Sequence, residues 1–224
     1  VGFEGGAHYD ESAYAAELAG ELGIEHYVHR ISEEEYWDAL PKVQYALDQP
    51  LADPSCVALY FVSKLAAEHV KVVLSGEGAD ELFGGYPSYV QEGHFAQYAH
   101  IPKCIRKSAA ALAKRSPDFK GKHFIVRGAM EPYQRFARAN YVFPRDERGA
   151  YLKDKIPAKA PVDYATPHFD KVNALDTPTQ LQYVDIHTWM LYDILQKADR
   201  MSMANSLELR VPFLDKKMLE LAMQ

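Results

Sequence analysis

Lys71-Val72-Val73-Leu74-Ser75-Gly76-Glu77-Gly78-Ala79-Asp80-Glu81-Leu82-Phe83-Gly84-Gly85-Tyr86 is the stretch that decides the fold. Its first five residues read as a fully buried strand, and the glycines at 76 and 78 turn the chain into a helix. Such a turn presents backbone N–H groups and a positive helix end at the carboxyl edge of a sheet. That is an anion site, placed where open α/β sheets bind ligands. The pattern Gly76-x-Gly78 fails as a dinucleotide fingerprint because Glu81 stands where the third glycine belongs, and no Gly-Lys-Ser/Thr makes it a Walker A loop. Glu77, Asp80 and Glu81 are three acids in five residues. Beside phosphate they would repel it unless a hard cation intervenes, and Mg²⁺ held by one or two carboxylates plus phosphate oxygens meets that need. For Glu81 the plainer role is to favour the helix N-terminus. Gly84-Gly85-Tyr86-Pro87 reads as a structural reversal.

Working outward, Asp10 to Leu22 reads as a helix capped by Asp10, with Tyr14, Leu18 and Leu22 on one face and Gly23 ending it. Ile24 to Ile31 reads as a strand. Ser32-Glu33-Glu34-Glu35 has the form of a capping box ahead of Tyr36, Leu40, Val43 and Leu47 at helical spacing, with Pro41 expected to kink or divide that helix. Asp48 to Pro54 is a loop, and Ser55 to His69 suits a buried helix. Alternating strands and helices predict an open parallel α/β sheet, thin at three visible strands. From Ser88 onward the chain reads as helical, near 129–141 and 178–204, with a connection carrying Pro157, Pro161 and Pro167. The expected division is an α/β nucleotide-binding part over 1–100 and a helical part over 101–224.

Composition narrows the function classes. The 224 residues carry a net charge of −6, with 48% apolar and 25% charged side chains, which excludes disorder, collagen and coiled coil. The charge is split: residues 1–100 hold 4 basic and 17 acidic side chains, net −13, and residues 101–224 hold 21 and 14, net +7. No apolar run approaches the ~20 residues of a membrane span. Cys56 and Cys104 are the two cysteines, too few for a disulfide framework or a structural zinc site. They favour a reducing, cytoplasmic setting. Residues 101–127 carry eight basic side chains against Asp118, partly alternating with Ile105, Ala109, Leu112 and Ala113. This reads as a helix with an apolar face and a solvated positive face; a nucleic-acid site would bring interleaved aromatics.

Two blocks together are similar to one family. Leu74 to Pro87, and Lys197-Ala198-Asp199-Arg200-Met201-Ser202-Met203-Ala204 followed by Leu207-Glu208-Leu209-Arg210-Val211-Pro212-Phe213-Leu214-Asp215, resemble the glutamine-hydrolysing asparagine synthetases. Val1-Gly2-Phe3, Tyr9-Asp10-Glu11 and the Asp48–Pro54 loop resemble them too. The resemblance covers essentially the whole chain, with 101–175 similar only in being helical. It implies part of an ATP-pyrophosphatase domain, of the adenine nucleotide α-hydrolase-like kind. It further implies a reaction in which ATP and aspartate give β-aspartyl-AMP and pyrophosphate, and ammonia from glutamine then gives asparagine and AMP.

Residue by residue, the resemblance implies that the Val1 backbone meets adenine and that Ser75 and Gly76 line the nucleotide. Glu77 would be the catalytic acid or base, and Asp80 would hold Mg²⁺. Asp199, Arg200, Glu208 and Arg210 read as a buried ion-pair lattice around the site. The family's Ser-Gly-Gly-x-Asp-Ser pyrophosphate loop, its glutaminase domain with a cysteine nucleophile, and a substrate lysine beyond the Pro-Phe-Leu-Asp block have no counterpart here, and Lys197 is not that lysine. The chain is therefore expected to be a piece cut at both ends, inactive alone. A glutaminase domain is expected in the parent chain, a homodimer is what the family suggests, and neither nucleic acid nor membrane is an expected partner. Other amidotransferases of the superfamily (β-lactam, macrocycle or sugar-amide forming) and a non-catalytic nucleotide-binding paralogue are the alternatives.

Overall fold

Ser32 opens the best-defined helix of the first half. Its Oγ accepts from the Glu35 amide at 3.2 Å, and the Glu35 carboxylate accepts from the Ser32 amide at 3.0 Å, so the capping box forms as the sequence reads. The computed structural model describes residues 1–5, 12–51, 53–139 and 160–224. The Asp10 cap, the Tyr9-Asp10-Glu11 segment, Ala52 of the loop and Pro157 lie outside the described residues.

The chain forms two compact units, Val1–Gly78 with Trp189–Gln224, and Ala79–Thr188. In the first unit, β1 (Gly2–Phe3) pairs in parallel with β2 (Arg30–Ile31), and β3 (Val72–Leu74) pairs in parallel with β4 (Glu208–Arg210). Among the described residues these ladders are separate two-stranded sheets, so the single open sheet expected from the alternation is not formed. The architecture is α/β, mostly helical, with small parallel sheets. β1, β2 and β3 are each shorter than the sequence suggests, and Val72 and Leu74 of β3 are 45% and 74% exposed where burial was expected. An apolar run implies cover on both faces, and pairing with β4 satisfies one edge without covering either face.

The core of this unit is helical. α2 (Glu33–Leu47) buries Ala39, Val43 and Leu47 against Cys56, Val57 and Phe61 of α3 (Ser55–Ala67) and against Met201. Burial of each large side chain here contributes about 1.5–3 kcal/mol. Pro41 lies inside α2 without dividing it. The bond it forfeits to the carbonyl four residues earlier is outweighed by that buried stripe. α1 (Ser12–Leu22) ends at Gly23, φ +66°, as read, but Tyr14, Leu18 and Leu22 are exposed and Ala19 alone is buried.

In the second unit, α4 (Ala79–Phe83), α5 (Pro87–Tyr98), α6 (Lys103–Arg115), α7 (Lys122–Gly128), α8 (Pro132–Ala139), α9 (Pro161–Lys171) and α10 (Thr177–His187) follow in order. Tyr89, Ala165, Phe169, Leu181 and Val184 form its core. The basic helix keeps only part of its expected apolar face, with Ala113 buried and Ala109 half-buried. Ile105 and Leu112 are exposed while Arg106, Ala110 and Ala113 are buried. The two alanines let α7 approach, and Arg106 donates to the carbonyls of Ile101 at 2.9 Å and Gly128 at 2.7 Å.

The helix expected over 178–204 is broken at Thr188, whose φ −129° and ψ −76° are not helical. A π-helical turn, Met190–Ile194, then leads into α11 (Leu195–Met203) of the first unit. Among the described residues, no helix is long and apolar enough to cross a membrane.

Candidate functional site

The two sequence blocks, 135 or so positions apart, meet through β3 and β4. Val72, Val73 and Leu74 pair with Glu208, Leu209 and Arg210, and the Ser75 amide closes the ladder on the Arg210 carbonyl at 2.8 Å. Ser75 therefore spends its N–H on the sheet. Gly76 is exposed, and a Cβ built on it meets nothing within 4 Å, so packing among the described residues does not require glycine there. Glu77 is half-buried. Gly78 is required twice over. Its φ is +93°, and a Cβ would lie 2.3 Å from Leu214 Cδ2 in the 3₁₀ turn Pro212–Leu214. The strand-end loop is thus seated on the Pro-Phe-Leu-Asp block. Val1 stands before β1, on the other ladder, with its side chain exposed.

Asp80 lies in the first turn of α4, in the second unit, with its side chain exposed. Its carbonyl accepts from the Gly85 amide at 2.9 Å, and a Cβ on Gly85 would come within 2.0 Å of Asp80 Oδ1. The Gly84-Gly85 reversal therefore exists to let the chain fold back against this carboxylate. Among the described residues no group of three or more His, Cys, Asp or Glu side chains is gathered as a metal cage. One exposed carboxylate does suit Mg²⁺, which keeps several waters and takes one or two carboxylates beside substrate phosphates.

Glu81 stands in the first turn of α4, as the sequence reads, and is buried there: it is 1% exposed and accepts from Tyr86 Oη at 2.7 Å. Burial first, and then this bond, push the Tyr86 hydroxyl well above its usual range. Beside it, Tyr89 donates to Asp185 at 2.7 Å. Burial raises the Asp185 carboxyl from 3.8 to about 6; the Tyr89 bond opposes the rise and the Glu81 charge adds to it. A carboxyl with a raised folded-state value favours folding less as pH rises through that value. Asp185→Asn, which keeps an acceptor for Tyr89, is therefore expected to be more stable than the parent at pH 7 by on the order of 2–3 kcal/mol. The difference should vanish as pH falls from 6 towards 4. Denaturation of both proteins across that range checks it, and a constant difference would refute it.

Lys197, on α11, is enclosed. Its Nζ pairs with Asp53, donates to Ser55 Oγ at 3.0 Å, and meets Asp193 of the π-helical turn at 3.3 Å. Burial works against its charge, but the two carboxylates prevail and raise its affinity for the proton. The sequence reading placed a buried ion-pair lattice at Asp199, Arg200, Glu208 and Arg210. The structure has Arg200–Asp48 and Arg210–Glu208 as exposed pairs at 2.7 Å, and the buried lattice sits on Lys197. Burial pushes the Cys56 thiol up to about 11, which leaves it inert as a nucleophile, and Cys104 is exposed.

The side chain that sequence reasoning missed is Gln182, on α10. It donates to the carbonyls of Glu81 at 2.9 Å and Leu82 at 3.1 Å. Nothing in a glutamine within a helical run marks it as a cap for a distant element.

Comparison with known proteins places these features in a family. A family model described as "Asparagine synthase" matches residues 1–224. The chain is 43% identical over 223 residues to the Bacillus subtilis protein named asparagine synthetase [glutamine-hydrolyzing] 1, covering 99% of this chain and 35% of that protein. It is 40% identical over 217 residues to a putative asparagine synthetase [glutamine-hydrolyzing] of Mycobacterium tuberculosis, covering 95% of this chain and 32% of that protein. It is 32% identical over 112 residues to asparagine synthetase [glutamine-hydrolyzing] 1 of Saccharomyces cerevisiae, covering 44% and 20%. The chain spans about a third of the length of the first two relatives.

Proposed function

This chain belongs to the asparagine synthase family, and on that premise we propose that it is the nucleotide-handling part of an ATP-dependent ligase that makes asparagine. The observation that carries the proposal is the 43% identity across 99% of the chain to a glutamine-hydrolysing synthetase. The pairing of β3 with β4, which brings two of its sequence blocks together, supports it.

In the proposed reaction an oxygen of the aspartate β-carboxylate attacks the α-phosphorus of ATP and pyrophosphate leaves. Ammonia then attacks the acyl carbon of β-aspartyl-AMP, and AMP departs with the carboxylate oxygen. Glu77, on the first unit, takes the proton that the attacking nitrogen must lose. Ser75 and Gly76 line the nucleotide. The open space beside Gly76 supports this, because a ligand there meets backbone with no Cβ in the way. The Val1 backbone meets adenine. Asp80, with its exposed carboxylate, would hold Mg²⁺, and the ion would supply charge neutralisation for the pyrophosphate.

The nucleotide fold is of the ATP-pyrophosphatase kind. The relatives' names include glutamine hydrolysis, which supports ammonia being supplied by a glutaminase domain in the full-length protein. A cytoplasmic homodimer completes the proposal. The fate of the aspartate β-carboxylate oxygen tests it: label recovered in AMP supports adenylation, and its absence from AMP refutes it.

A further inference from the structure

We propose that Gln182 is a positioning residue for Asp80, acting from another helix through the backbone of α4. The inference rests on the reading of Asp80 as a ligand of the nucleotide-bound cation.

α4 has five residues. A helix that short leaves nearly all of its carbonyls without a partner inside the helix, and it is not self-sustaining. Each carbonyl from 80 to 82 is nevertheless satisfied. Asp80 O accepts from Gly85 N at 2.9 Å. Glu81 O and Leu82 O both accept from the single Nε2 of Gln182, at 2.9 and 3.1 Å, which uses both hydrogens of that amide. Gly84, at φ +71°, turns the chain beside the amide, where a Cβ would make ordinary contact with Nε2 at 3.8 Å. From the side-chain direction, Tyr86 Oη holds the buried Glu81 carboxylate at 2.7 Å. α4 is pinned at three successive carbonyls and one carboxylate, and two of those carbonyls depend on one glutamine.

The group that this pinning leaves facing outward is the Asp80 carboxylate. Mg²⁺ tolerates little departure from octahedral geometry, so fraying of α4 would misdirect its ligand. Groups bonded directly to a metal ligand commonly carry about 10–100-fold in metal affinity; Gln182 acts one step further out, through the carbonyls that follow Asp80, so the low end applies. Gln182→Leu keeps the shape and removes the donor, and it is expected to weaken cation binding by about 10-fold without displacing substrate from its own contacts.

The test uses the full-length enzyme with Mn²⁺ as the probe, a non-hydrolysable ATP analogue bound, and free Mn²⁺ measured by its electron-spin resonance signal. The proposal expects weaker Mn²⁺ binding in Gln182→Leu and in Asp80→Asn, and no further loss when the two are combined. It also expects faster hydrogen exchange at the Gly85 amide in Gln182→Leu. Gln182→Met replaces Gln182→Leu if the latter fails to fold. If Asp80→Asn weakens Mn²⁺ binding and the Gln182 variants do not, the positioning role is overturned. An equal further loss from Gln182→Leu in the Asp80→Asn background overturns it too, because Gln182 would then act elsewhere. If Asp80→Asn binds Mn²⁺ like the parent, the reading of Asp80 itself fails.

Discussion

Glu77→Ala in the full-length enzyme is expected to lower aspartate-dependent pyrophosphate release by at least about 100-fold, the low end of what a positioned acid or base contributes, while glutamine hydrolysis stays at the parent rate. Glu77 sits between an exposed glycine and a buried one. Gly78, at φ +93° against Leu214, fixes the backbone on one side of it, and the ladder bond from Ser75 to Arg210 fixes it on the other. The carboxylate is thus held on a short segment anchored at both ends, which is what a proton acceptor at a reacting centre requires. Glu77→Gln, which keeps the shape and loses the basicity, should fail nearly as badly. Thermal unfolding of both variants close to the parent would separate loss of chemistry from loss of fold. Synthesis at the parent rate in either variant would contradict the assignment.

The second large effect is on stability. Glu92 of α5 and Arg135 of α8 form a pair whose side chains are 3% and 5% exposed, with Arg135 Nε 2.8 Å from both carboxylate oxygens. The guanidinium also donates to the Met130 carbonyl and lies 4.7 Å over the Phe95 ring. Arg135→Ala strands a buried carboxylate and is expected to cost about 3–5 kcal/mol. Replacing the pair together, Arg135→Met with Glu92→Leu, removes both desolvated charges and should cost much less. Urea unfolding of both variants against the parent checks this. Equal losses for the single and double replacements would show that the packing volume matters and the pairing does not.

What the sequence disclosed follows the range of the interactions concerned. The Ser32–Glu35 capping box and the Gly23 helix stop are local, and both are where the sequence puts them. The lengths and exposure of the strands depend on which edges and faces are covered, so the apolar Val72–Leu74 run gave the element and misjudged its burial. β4 was hidden because Glu208 and Arg210 alternate around Leu209 and look like a surface segment. Arg106 and Arg135 were invisible as core residues because a basic helix reads the same whether a guanidinium faces water or a neighbouring carbonyl. Glu77 and Asp80 are candidates that the acid cluster beside glycines puts forward, and their roles are proposals. Gln182 could not be put forward in that way, since its role depends on contacts made 101 positions away in the chain.

Activation of a carboxylate as an acyl-adenylate is the step proposed for this site. The most direct measurement supplies the full-length enzyme with aspartate carrying ¹⁸O in the β-carboxylate, with ATP, Mg²⁺ and ammonia, and analyses the products by mass spectrometry. Adenylation predicts one ¹⁸O in each AMP formed, none in pyrophosphate, and one retained in the asparagine amide. Label appearing in inorganic phosphate with ADP as the nucleotide product, or AMP formed without label, would contradict it.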